Sequence, residues 1–238
     1  MRESSTEHDS KIILALDVTG PVHTRSDRAE ALLDQLGDHV AGVKVNFHLL
    51  LPNGLEGVEG VAAVCARKGL PLIADIKLND IESTNLETVE LLFGGGFDAV
   101  IANPFAGYAE GLSGVLKKAK ALGKGVILLV YMSHAGAVEG YAMRVGREPV
   151  YLRFAKKTRQ WEADGAIVSA KSPEIIRAVR KVLRPWQLIL SPGVGFQGGE
   201  AAKAVGAGTD FAIVGRTVIE STNPLKTLEK LNLSLAGR

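Results

Sequence analysis

The heptapeptide Leu72-Ile73-Ala74-Asp75-Ile76-Lys77-Leu78 carries a carboxylate and an ammonium two residues apart in an otherwise apolar run. In an extended chain successive side chains alternate between faces. Asp75 and Lys77 therefore share one face, and Leu72, Ala74, Ile76 and Leu78 occupy the other. Desolvating two charges costs more than an ordinary pair recovers, so a pair kept only to close a core is the weaker reading. A functional pair at the end of this strand is the stronger reading.

The same parity argument adds two charges. Asp17 ends Ile12–Val18 on the face of Ile13 and Ala15, and Lys44 lies between the outward valines Val43 and Val45. Asp80 follows Lys77 by three residues and completes Asp75-x-Lys77-x-x-Asp80; on its own it could equally be a turn residue or a helix cap. Late in the chain, Ser191-Pro192-Gly193-Val194-Gly195-Phe196-Gln197-Gly198-Gly199 and Val214-Gly215-Arg216 combine close backbone approach with a planar cationic fork, the ingredients of a phosphate seat. Plain turn glycines and a surface arginine are the alternative. Met132-Ser133-His134 offers hydroxyl or amide hydrogen bonds, but neighbours in an extended segment point opposite ways, so a Ser/His hydrolase is rejected. The five histidines and single cysteine have no metal-ligand spacing, and no protein-bound metal is expected. Trp161 and Trp186 fall in or beside helices and are expected to pack rather than stack a base.

These residues need a scaffold that gathers strand ends. Eight short apolar runs are expected as strands: Lys11–Val18, Gly42–Phe47, Leu72–Leu78, Ala99–Asn103, Gly125–Met132, Ala166–Ala170, Leu188–Pro192 and Phe211–Gly215. Helical periodicity follows each, near 27–37, 56–68, 82–94, 109–122, 149–163, 173–184, 198–206 and 224–231. Ser172-Pro173 and Asn223-Pro224 are cap-then-proline signals. Eight such units in one chain imply an α/β fold, a single (β/α)₈ TIM barrel over residues 11–238. Its loops after strands 7 and 8 are a common phosphate site. An open doubly wound sheet fits less well, because no Gly-x-Gly-x-x-Gly follows the first strand. Residues 1–10 read as a flexible tail.

Composition narrows the partners. Among 238 residues, 46% hydrophobic and 23% charged describe a globular chain, and a net charge of +2 gives no surplus to hold nucleic acid or an anionic membrane nonspecifically. No apolar run approaches membrane-spanning length, no secretory signal is evident, and Cys65 has no partner for an internal disulfide. A cytoplasmic protein is expected.

Taken in order, Leu14-Ala15-Leu16-Asp17, Val43-Lys44, Asp75-Ile76-Lys77-Leu78-Asn79-Asp80-Ile81 with Thr84, Met132-Ser133-His134, Pro192-Gly193-Val194-Gly195 with Gln197-Gly198-Gly199, and Gly215-Arg216 resemble the orotidine 5′-phosphate decarboxylase family, in its short archaeal and bacterial form. The resemblance spans nearly the whole barrel. It implies decarboxylation of orotidine 5′-phosphate to UMP without a cofactor, the last step of de novo UMP synthesis. It also implies an alternating network Lys44–Asp75–Lys77–Asp80 and a homodimer in which Asp80 and Thr84 enter the neighbouring active site. By the same resemblance Asp17 and Lys44 contact the ribose, joined across the interface by Asp80 and Thr84. Ser133 meets the pyrimidine, and Pro192, Gln197, Gly215 and Arg216 belong to the substrate site, with Gln197 and Arg216 mainly on the phosphate. Ala135 stands where many members have proline, which is expected to change the order of that loop rather than the substrate. A sister group, 3-hexulose-6-phosphate synthase and 3-keto-gulonate-6-phosphate decarboxylase, shares Asp-x-Lys-x-x-Asp but binds Mg²⁺ through a glutamate where this chain has Lys44. A catalytically silent nucleotide-phosphate-binding barrel is the other alternative; the filled charge positions argue against it.

Overall fold

A computed structural model describes residues 1–193 and 198–236. Eight parallel strands close into a barrel: β1 (Ile12–Ala15), β2 (Gly42–Val45), β3 (Leu72–Leu78), β4 (Ala99–Ala102), β5 (Gly125–Tyr131), β6 (Gly165–Val168), β7 (Leu188–Pro192) and β8 (Phe211–Val214). Each pairs with its neighbour in sequence, and β8 returns to β1. All eight expected runs are strands. Several stop short of the expected C-terminal bound, β1 at Ala15 rather than Val18 and β2 at Val45 rather than Phe47, because there the chain leaves the ladder to form the cavity. A helix follows every strand within the expected segments; a further one, Phe47–Asn53, is inserted after β2 and capped by the Asn46 side chain. Asn223 caps its helix by accepting from the Lys226 N–H, whereas the Ser172 side chain makes no such bond.

Strand parity divides the core. Ile13, Ile73, Ile101, Ile127, Leu129 and Ile167 fill the barrel interior, while Leu14, Val43, Val45, Leu72 and Ala74 meet the helices. Full burial of such a side chain stabilises the fold by about 1.5–3 kcal/mol. Trp161 packs on Tyr108 as expected for a helix-flanking aromatic, and Trp186 is half exposed. No helix among the described residues is long and apolar enough to cross a membrane.

The barrel's N-terminal rim carries a repeated clamp. Asp98 donates its N–H to the Leu72 carbonyl and accepts the Leu72 N–H on its carboxylate. Asp164 does the same to Val126, and Asp210 to Ile189. Each aspartate thus pins the start of an even-numbered strand to its odd-numbered predecessor. Between β1 and β2 the corresponding residue is Ala41: its N–H reaches the Ile12 carbonyl, and Ser10 Oγ replaces the carboxylate on the Ile12 N–H. The N-terminal segment fills the remaining space. Residues 1–10, expected as a loose tail, instead form a helix, Arg2–Glu7, whose buried Ser4 donates to the Ala41 carbonyl and whose Met1 packs against Gly42 and the interior cluster. A polar, weakly periodic segment orders here because the rim offers it unpaired backbone acceptors and an apolar socket.

Candidate active site

At the opposite, C-terminal end of the strands, β3 is irregular. Ala74 pairs with Val100 and Leu78 with Ala102, so three residues of β3 bulge past one of β4. Two extra residues preserve parity while pushing Asp75 and Lys77 inward. Lys77 sits at φ +50°, a left-handed conformation that costs a side-chain-bearing residue energy and that concentrates at functional sites.

Asp75 is only 9% exposed, and each of its carboxylate oxygens has its own cation: Oδ1 lies 2.8 Å from Lys77 Nζ and Oδ2 2.9 Å from Lys44 Nζ. Lys44, itself 5% exposed, reaches Asp17 at 3.5 Å. Asn46 donates to Asp17 Oδ1 at 2.7 Å, while its own oxygen accepts the His48 N–H at the start of the inserted helix. The result is an alternating row Asp17–Lys44–Asp75–Lys77 drawn from three adjacent strands. Burial pushes the Asp75 carboxyl upward, but the attraction of Lys44 and Lys77 and their hydrogen bonds outweigh it and hold the group below the usual carboxylate range. The row holds alternating charges in fixed mutual geometry, which is the preorganisation that electrostatic catalysis requires.

The row forms one wall of a cavity of about 340 Å³ at the barrel mouth. Ile101, Leu129, Ile167 and Ile213 make its apolar floor; Met132 and Ser133 approach from the end of β5, and Pro192, Gly193, Gly215, Arg216 and Thr217 from β7 and β8. Gly193 sits at φ +92°, a backbone conformation that strains any residue with a side chain, while Ser133 and Lys171 lie beside it at ordinary contact distance. Of the expected site residues, Asp17, Lys44, Asp75, Lys77, Ser133, Pro192, Gly215 and Arg216 therefore share one cavity. Gln197 lies outside the described residues. Asp80 and Thr84 are not brought to this cavity. Both are exposed: Asp80 accepts the Ile81 N–H in the turn after β3, and Thr84 lies on the following helix. Asn85 clasps that turn through the Asp80 N–H and carbonyl and braces it against the Gly111 carbonyl. Asp80 borders a separate shallow depression with Ile81 and Phe105, which are 64% and 73% exposed.

Three polar lining residues escaped the sequence reading. Asn46 was accessible to it, since it shares the parity of Lys44. Lys171 directly precedes the Ser172-Pro173 pair, just past β6, where barrel chemistry is built. Thr217 follows Arg216 and carried no separate signal.

A family model described as Orotidine 5′-phosphate decarboxylase / HUMPS family matches residues 10–231. Among similar proteins, one from Pyrococcus abyssi named orotidine 5′-phosphate decarboxylase is 34% identical over 226 residues, covering 95% of this chain and 99% of its own length. One of the same name from Thermococcus kodakarensis is 36% identical, covering 94% and 95%. Among solved structures, orotidine 5′-phosphate decarboxylase from Pyrococcus horikoshii OT3 superposes with a TM-score of 0.79 at 33% identity, covering 95% of this chain and 100% of that one. Orotidine 5′-monophosphate decarboxylase from Methanocaldococcus jannaschii, complexed with inhibitor BMP, gives 0.80 at 27% identity, covering 95% and 98%.

Proposed function

This chain belongs to the orotidine 5′-phosphate decarboxylase / HUMPS family, and from that premise we propose how its own residues decarboxylate orotidine 5′-phosphate to UMP and CO₂. The observation that carries the reading is the buried row in which Asp75 is gripped by Lys44 and Lys77. In the reaction the bond between C6 of the pyrimidine and its carboxylate breaks, CO₂ leaves, and the electron pair remains on C6. No carbonyl adjoins that carbon to spread the charge, so the surroundings must stabilise it. The Lys77 ammonium interacts more favourably as C6 becomes negative, then transfers a proton to it and is reprotonated from solvent. Asp75 fixes Lys77 in position and disfavours the substrate carboxylate in the ground state, and Lys44 keeps Asp75 ionised. Asp17 and Lys44 hold the ribose, Ser133 the pyrimidine, and Arg216, with Gln197 and the strand-7 loop, the phosphate. Pro192 and Gly215 shape the approach.

Two features distinguish this reading from the Mg²⁺-dependent chemistry of the sister group. Lys44 is a cation where a metal-binding carboxylate would be needed, and it already occupies the space between Asp17 and Asp75. Asp80 and Thr84 act in a second copy's site within a homodimer. Support for this is the apolar exposure of Ile81 and Phe105 beside Asp80, the kind of patch that marks a protein contact. A cytoplasmic location belongs to the same proposal. It is supported by the lone Cys65, buried with its thiol pushed up to about 12 by desolvation, a packing residue rather than a reactive one.

An ultraviolet assay with orotidine 5′-phosphate in excess chelator tests the reading. Conversion to UMP at an undiminished rate is expected. Failure to decarboxylate, or turnover restored only by Mg²⁺, would favour the sister chemistry.

A further inference from the structure

The cavity's charge is unevenly distributed. Among the described lining residues Asp17 and Asp75 face Lys44, Lys77, Lys171 and Arg216, two acids against four bases. Lys44 and Lys77 are consumed by the buried row. The surplus of two positive charges therefore resides in Lys171 and Arg216, whose side chains have no ion-pair or hydrogen-bond partner among the described residues. They stand three residues past the end of β6 and two past the end of β8, the strands that flank β7 on either side. Between them is Gly193. The Lys171 side chain runs alongside it, with Cε 3.7 Å and Cγ 3.8 Å from the place a Cβ on Gly193 would occupy. The Ala170 N–H donates to the Pro192 carbonyl at 2.9 Å, which ties the Lys171 loop to the end of β7.

An arginine alone presents a flat fork to one side of an anion, whereas a lysine opposite it adds a point charge that can follow the remaining oxygens. We propose that Lys171 is a further substrate-binding residue, the second cation on the 5′-phosphate, placed across Gly193 from Arg216. The inference rests on the function proposed above and goes beyond it by naming a residue that the resemblance does not assign. Its charge balance is consistent: two unpaired cations meet a phosphate dianion, while the substrate carboxylate faces the already neutralised row. Lys171 is exposed at the cavity rim, so its replacement leaves the core untouched.

The test compares wild type, Lys171→Gln and Lys171→Arg on orotidine 5′-phosphate and on orotidine, which lacks the phosphate. Loss of one charge-assisted contact predicts that Lys171→Gln lowers kcat/KM for orotidine 5′-phosphate by about ten- to hundredfold and leaves that for orotidine unchanged within about twofold. Lys171→Arg should recover most of the loss. Equal losses on both substrates would assign the ammonium to the base or to the loop's structure, and no loss on either would make it a solvated lysine; both overturn the proposal. Direct binding of UMP and uridine to the same three proteins, measured by titration calorimetry, yields the same ratio without chemistry. An inactive wild type therefore refutes the proposed function, while the binding ratio still decides Lys171.

Discussion

Asp75 is the residue on which the row depends, because its two oxygens separate two ammonium groups that would otherwise face each other inside the barrel. Asp75→Asn leaves Lys77 without its partner and Lys44 with only Asp17 at 3.5 Å, and is predicted to destabilise the fold by about 3–5 kcal/mol, read by denaturant titration, besides removing activity. The pH dependence has a definite sign. The folded carboxyl titrates below its unfolded value of about 3.9, so its stabilisation is complete above that pH and is lost as pH falls through the lower folded value. Stability measured against pH should lose this part of its acid limb in Asp75→Asn. Lys77→Ala keeps the fold but removes both the cation beside C6 and the proton donor, and kcat should fall by at least about ten-thousandfold. Most of this row was legible in the sequence, since parity alone puts Asp17, Lys44, Asp75 and Lys77 on inward positions. The left-handed backbone at Lys77 was not: nothing in Asp-x-Lys-x-x-Asp signals a bulge, which arises from pairing with β4.

Among the elements, strands and helices were readable because apolar periodicity reports which face is buried, and it is strong in β3, β5 and β7. Their ends were less so, as hydrophobicity continues past the end of β1 in Leu16 and Val18, which are buried outside the strand. The N-terminal helix was illegible for a different reason. Its sequence is polar and its order comes from tertiary contacts, chiefly the gap that Ala41 leaves in the series of Asp98, Asp164 and Asp210. Deleting residues 1–9 should cost about 1–2 kcal/mol, lowering Tm by about 2–8 °C in a domain of this size, with kcat/KM unchanged because the helix closes the end of the barrel remote from the cavity. Calorimetry alongside the decarboxylation assay checks this; a large loss of activity at full folding would contradict it. The Asp164 clamp carries a cost of its own: burial pushes its carboxyl above the ordinary value despite the backbone hydrogen bonds it accepts, so its contribution weakens as pH rises through that range, opposite to Asp75.

For the whole molecule, one chain supplies a cavity with its charged row complete but leaves Asp80 and Thr84 outside it, beside exposed Ile81 and Phe105. The sequence alone left Asp80 open as turn residue, cap or site residue, and this chain's geometry makes it a turn residue at home; its proposed chemistry belongs to the other copy. A homodimer in which each site takes its network from one chain and Asp80 from the other makes a quantitative claim about mixtures. Lys77→Ala and Asp80→Ala proteins, each inactive alone, are mixed in equal amounts, subunit exchange is verified, and decarboxylation of orotidine 5′-phosphate is measured. Half of the dimers are then mixed, each with one site free of both lesions, so the account predicts recovery of about a quarter of wild-type activity. Proven exchange with no recovery would contradict a site built from the fixed charges of two copies.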